Sequence, residues 1–122
     1  MINSFRELRV WQQGMDLVEK IYHITRSFPS EERFGLTSQM RRAAVSIPSN
    51  IAEGHTREST KEYLYHISCA QASLAELQTQ IEIAARLGFA SSEDTQPLLE
   101  YCESLSRQLH ALRNALNRKN AT

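Results

Sequence analysis

The sequence predicts an all-α protein, an antiparallel up-down-up-down four-helix bundle formed by one domain over residues 1–122. Three observations lead there. Apolar residues recur at steps of three and four in four separate stretches, the spacing of one helix face. The links between those stretches are short, so consecutive helices must lie antiparallel. Only 4 Gly and 3 Pro occur in 122 residues, too few for a sheet-and-turn protein, while Leu, Ala, Glu, Gln and Arg are good helix formers. A chain of this length can bury a core without metals or disulfides.

Helix one is predicted over about residues 5–27. Ser4 and Glu7 form a capping box, the hydroxyl and the carboxylate each meeting a backbone N–H. One stripe runs Leu8, Trp11, Met15, Val18, Tyr22 and a second runs Val10, Leu17, Ile21, Ile24, Phe28. The two point in different directions, so more than half the circumference is apolar, wider than one core needs. One stripe should therefore meet another subunit, with Val10, Trp11, Leu17 and Ile21 as candidate interface residues. Phe28-Pro29 ends the helix, because the residue before Pro is pushed out of helical geometry.

Helix two is predicted over about 37–53, with Gly54 as its C-terminal stop. Its stripe is Leu36, Met40, Ala43, Ala44, Ile47, Ile51. Pro48 lies inside, and an interior Pro typically costs ~3 kcal/mol, so a kink or break is expected near Val45-Ser46. Helix three, about 60–87, opens on a second capping box, Ser59 and Glu62, and carries a heptad seam of Tyr63, Ile67, Ala70, Leu74, Leu77, Ile81, Ala84. Gly88 caps it, with Phe89 placed for the accompanying apolar contact. Helix four, about 95–117, is capped by Asp94 or Ser91. Pro97 suits a first turn and favours the later start, and residues from Asn117 are expected to fray. Its seam is Leu98, Cys102, Leu105, Leu109, Leu112, Leu116.

Fourteen basic residues balance fourteen acidic ones, so bulk charge predicts no polyanion partner. Arg107, Arg113, Arg118 and Lys119 nevertheless make a basic C-terminal end, well placed to complement a helix dipole. Two cysteines without a C-x-x-C, no apolar N-terminal run and no stretch near the ~20 apolar residues of a membrane span predict a cytoplasmic chain with free thiols and no membrane partner.

Gln39, Arg42, Ser46, Asn50 and Glu53 recur at steps of three and four, forming one polar stripe on helix two beside the apolar one. Such a stripe fixes helix register or a subunit contact, or presents a binding surface; the first reading is favoured. No Glu-x-x-His pair of the di-iron bundles occurs. Glu19 with His23, and Glu62 with His66, have the spacing of solvated helix faces, and His66 with Cys69 lacks a matching second pair. No Ser has a His at a telling spacing. No catalytic residue, metal ligand or cofactor is assigned.

The run Gln39, Arg41-Arg42-Ala43-Ala44, then Ser46-Ile47-Pro48-Ser49-Asn50-Ile51-Ala52-Glu53-Gly54 carries a resemblance. So do Leu8-Arg9-Val10-Trp11-Gln12, Phe28-Pro29, Glu32-Arg33-Phe34-Gly35-Leu36, Ser73-Leu74-Ala75-Glu76-Leu77 and Leu87-Gly88. Over nearly its whole length the chain resembles the bacterial four-helix bundle family called the 23S ribosomal RNA intervening-sequence proteins. The resemblance implies a left-handed bundle that assembles into a homopentamer. It also implies similarity in fold to the accessory protein of diversity-generating retroelements, which partners a reverse transcriptase and nucleic acid and, unlike this chain, is strongly basic.

The expected function is therefore that of a non-enzymatic homo-oligomeric bundle, a binding or assembly module for RNA or a nucleic-acid-processing protein. The alternative is a purely structural oligomer without nucleic-acid binding, and an enzyme ranks last. The cations expected to contact nucleic acid are Arg41, Arg113, Arg118 and Lys119.

Overall fold

In the computed structural model, which describes residues 4–121 and side chains as far as Lys119, the chain opens on the capping box that the sequence predicts. Ser4 Oγ accepts from the Arg6 N–H at 3.2 Å, and Glu7 Oε2 accepts from the Ser4 N–H at 3.4 Å. The box caps a 3₁₀ turn, Phe5–Glu7, rather than helix one itself. Leu8 is extended (φ −71°, ψ 127°), and α1 begins only at Arg9, running Arg9–Thr25. The break has a local cause. It lets Phe5 fold back edge-on to Trp11, ring centroids 5.5 Å apart, while Gln12 Nε2 donates to the Arg6 carbonyl at 2.9 Å. A second 3₁₀ turn, Ser30–Glu32, follows Pro29.

α2 runs Leu36–Thr56 and stays helical through Pro48. Of the kink or break expected near Val45-Ser46, the break is absent, since the helix is continuous there. The N–H that Pro48 lacks would have met the Ala44 carbonyl; just beyond it Ser49 Oγ donates to the Val45 carbonyl at 2.8 Å and Asn50 Nδ2 to the Ser46 carbonyl at 2.9 Å. Gly54 is not the stop, since the helix continues to Thr56 and Gly54 is buried inside it. The glycine serves close approach instead: a Cβ there would lie 3.0 Å from Tyr63 Cδ1.

α3 runs Thr60–Arg86, with Ser59 Oγ accepting from the Glu62 N–H at 3.0 Å. It ends as predicted. Gly88 takes φ +76°, its N–H reaches the Ala85 carbonyl at 3.1 Å, and the Phe89 N–H reaches the Ala84 carbonyl at 2.9 Å. This is the double hydrogen bond of a Schellman cap, which needs a left-handed residue at the glycine position. Phe89 then packs on Phe28, centroids 5.7 Å apart. α4 runs Ser92–Ala121, starting earlier and ending later than expected. Ser91 caps it, accepting from the Asp94 N–H at 3.3 Å.

The four helices close into a ring of neighbours. α1 packs on α2 and α4, and α3 packs on the same two, with no close backbone approach across either diagonal among the described residues. Ile47, Ile51, Ile67, Leu77, Ile81, Leu105 and Leu109 are fully buried between them. Each contributes roughly 1.5–3 kcal/mol of transfer free energy.

The bundle also decides which face of α1 is internal. Val10, Leu17 and Ile21 are 5%, 0% and 0% exposed within their own chain. Three of the four candidate interface residues are thus core residues, because this stripe is the one turned toward α2 and α4. Trp11, the fourth, is half-buried against Phe5. The outward face carries Trp11, Met15, Val18 and Tyr22, of which Met15 is 41% and Tyr22 39% exposed.

Candidate functional site

The polar stripe of α2 divides in two. Its C-terminal half meets α3. Ser46 Oγ and Ser73 Oγ share a hydrogen bond of 2.8 Å across the helix pair, and Asn50 Nδ2 donates to Ser46 Oγ at 3.0 Å. Because the Asn50 amide nitrogen faces Ser46, its Oδ1 faces His66, 3.1 Å from Nδ1. That arrangement assigns the proton to His66 Nδ1. Glu53 Oε2 stands 3.6 Å from the same nitrogen. Ser46, Asn50 and Glu53 are therefore gathered with Ser73 and His66 into one seam, half-buried except at the exposed Glu53 end. The serine hydroxyls face each other and an amide, and the protonated Nδ1 of His66 faces Asn50 and Glu53. Such a network specifies the register of α2 against α3.

Sequence reasoning missed Ser73 and His66 as partners. Their signal was present: the two are seven residues apart, one heptad, and so share a face beside the apolar seam.

Gln39 and Arg42 lie outside this network and are exposed. Arg42 instead lines a cleft of about 650 Å³ on the outer side of α2, together with Arg33, Phe34, Arg41, Tyr22 and Val45. Arg41 is fixed there. Its Nε donates to Thr25 Oγ1 at 2.9 Å, and its guanidinium sits 4.5 Å from the centre of the Tyr22 ring. Thr25 in turn donates to the Ile21 carbonyl at 2.7 Å.

The remaining cations expected to contact nucleic acid do not join this cleft. Arg113 Nη1 donates to Ser68 Oγ and, at 3.1 Å, to Gln71 Oε1, so it ties α4 to α3. Arg118 and Lys119 are exposed in the last turn of α4. A second hollow, about 870 Å³, lies between α1 and α4, where Val18, Ile24, Pro97, Leu98 and Tyr101 supply apolar wall. Tyr101 donates toward Asp16 Oδ2 at 3.3 Å, and burial, then the Asp16 carboxylate, pushes its phenol up.

Cys69 is half-buried and Cys102 buried, and both are free thiols. Among the described residues no group of three or more His, Cys, Asp or Glu side chains could hold a metal. No helix there is long and apolar enough to cross a membrane.

A ring of four helices with a polar register seam inside and two open clefts outside defines the class as an all-helical bundle. The chain belongs to the 23S rRNA-intervening sequence protein family, whose pattern matches residues 6–111. Its fold is similar to the crystal structure of a protein of unknown function from the S23 ribosomal protein family of Bacteroides thetaiotaomicron. The TM-score is 0.80 at 17% identity, covering 86% of this chain and 95% of the other. No curated relative matches the chain.

Proposed function

We propose that the protein works by binding rather than catalysis, as a homo-oligomer whose subunits together hold RNA or a nucleic-acid-processing protein in the cytoplasm. The observation that carries the oligomer is the outward face of α1. Trp11, Met15, Val18 and Tyr22 follow one another at steps of four, three and four on the solvent side of the helix. A second copy would complete the cover of that line, in which Trp11 and Val18 are only partly buried against the core of this chain and Met15 and Tyr22 are exposed. The family resemblance supports five copies. The half-buried seam supports a scaffold role for the α2 polar residues, since each of Ser46, Asn50 and Glu53 has a partner on α3 or α2. The two free thiols fit a reducing compartment.

Zero net charge favours the second reading, a structural oligomer without nucleic acid. Light scattering on the full chain at micromolar concentration tests the assembly. A mass of five subunits is expected, and Met15→Glu should lower it by placing a charge in the contact. A monomer mass for the unsubstituted chain would refute the oligomer; a stable dimer would refute only the number.

A further inference from the structure

We infer that the outer cleft of α2 is a binding site for single-stranded nucleic acid, in which Arg33, Arg41 and Arg42 take phosphates and Phe34 takes an unstacked base. The inference deepens the binding reading above by naming the ligand and the residues.

The cleft is cationic without compensation. None of its lining residues is acidic. None of its three arginines forms an ion pair with a carboxylate among the described residues. The nearest carboxylate in sequence, Glu32, is directed elsewhere, accepting from the Leu36 N–H at 3.0 Å at the start of α2. A chain with as many acids as bases has therefore lined one cleft, between the connection before α2 and α2 itself, with three cations and no anion. The bland account, that arginines on a helix are solvated surface, does not explain the clustering or what lies beside it.

Phe34 lies beside it, 88% exposed, the most exposed large apolar side chain of the molecule's described part. Burial does not account for an aromatic ring in this position. The Arg33 guanidinium stands over its ring at 5.2 Å, leaving the other face for a ligand. A flat apolar group beside fixed cations is the composition of a single-strand site, where bases stack on aromatic rings and the backbone runs over arginines. Thr37 and Ser38, in the first turns of α2, add hydroxyls to the wall. The volume, about 650 Å³, falls in the range of ~300–1,000 Å³ typical of ligand sites. Arg41 is preorganised by Thr25 and Tyr22, so little side-chain freedom is given up when a phosphate binds. An acidic peptide would satisfy the arginines but gives Phe34 no planar partner, and a duplex keeps its bases stacked inside.

The test is a fluorescence titration of the full chain with labelled oligouridine RNA and oligothymidine DNA of about twelve nucleotides, at low and moderate salt. The Arg33 and Arg42 side chains make no hydrogen bond to the protein among the described residues, so R33Q/R42Q should keep the fold. It should weaken binding and flatten the salt dependence by about 0.7 for each phosphate that is no longer neutralised. Phe34→Ala should weaken binding roughly 5- to 100-fold with an unchanged salt slope. Arg107→Gln, on α4 beside Glu103, should leave affinity as it was. Binding of RNA, DNA or both in this pattern supports the site, and the two arms tell which backbone is preferred. The site is overturned by no binding at low salt, by full affinity in R33Q/R42Q or Phe34→Ala, or by an equal loss in Arg107→Gln. Equal affinity for duplex, or displacement by polyglutamate as readily as by unlabelled strand, overturns it as well. Light scattering on each variant keeps this separate from assembly. A fall in affinity that accompanies a fall in oligomer mass overturns the site, whereas a monomeric chain that still binds through these residues overturns the oligomer and supports the site.

Discussion

Gly54 of α2 lies so near His66 of α3 that a Cβ on the glycine would stand 2.8 Å from the histidine Cβ. Two helices meet there without a side chain between them, one turn from the contact of Asn50 with the same histidine.

Gly54→Ala should therefore destabilise the protein by about 1–3 kcal/mol, the usual cost of overpacking, although alanine is the better helix former. Gly14 of α1 gives the contrast. A Cβ there would meet the Pro48 ring at 3.3–3.4 Å, a contact relieved by a few tenths of an ångström. Helix propensity returns up to ~1 kcal/mol at such a site, so Gly14→Ala should fall much closer to zero. Urea unfolding of both variants checks the ordering. A Gly54→Ala chain as stable as the parent would mean that α2 and α3 are not in this contact.

Much of the bundle was legible. The seams of α3 and α4 contain the residues that are buried: Ile67, Leu74, Leu77 and Ile81 on one, Leu98, Cys102, Leu105 and Leu109 on the other. Periodicity reports a helix face directly, so it finds these. It does not report which face meets a neighbour. Helix one has two apolar stripes, and only the packed bundle shows that Val10, Leu17 and Ile21 are internal. Gly54 reads as a stop in one dimension because its reason to be glycine sits on another helix. Pro48 does not break α2, which runs on to Thr56. Of the outer cleft, the sequence offered Arg41 and Arg42. Arg33 and Phe34 stood only in the Glu32–Leu36 run that carries the resemblance, because residues of an irregular connection follow no period that would place them on a face.

Cys102 should make the protein alkali-sensitive. It is fully buried, and burial, then the neighbouring Glu103 carboxylate, raises its thiol from an ordinary 9.0 to about 12. The folded chain thus holds a proton that the unfolded chain releases. Its stabilising effect is complete below pH 9 and is lost as pH rises toward 12, at up to about 1.4 kcal/mol per pH unit. Tyr63, raised from 10.0 by burial, adds to the decline at higher pH. Chemical unfolding measured against pH should show a shallower alkaline decline in Cys102→Ala. In the native protein a thiol reagent should modify half-buried Cys69 and reach Cys102 only as the chain unfolds. An identical slope in parent and variant would remove the claim.

Arg113→Gln separates structure from binding. Without the charged hydrogen bonds to Ser68 and Gln71 the chain should be about 1–2 kcal/mol less stable, while the affinity for single strands stays unchanged. Arg118→Gln, at an exposed position, should change stability by no more than ~0.5 kcal/mol. Thermal melts of the two variants side by side decide the matter. Equal melts would place Arg113 in solvent.

The tilted ring contact of Phe28 with Phe89 joins two connections that lie far apart in sequence, the turn leaving α1 and the turn leaving α3. Those turns are consequently one mechanical latch. Neither can swing away while the other holds, so the amides of Gly88 and Phe89 should exchange with solvent in the same opening event as the amide of Phe28. Slack at that end of the bundle is shared, and a softening substitution in either turn is felt in both.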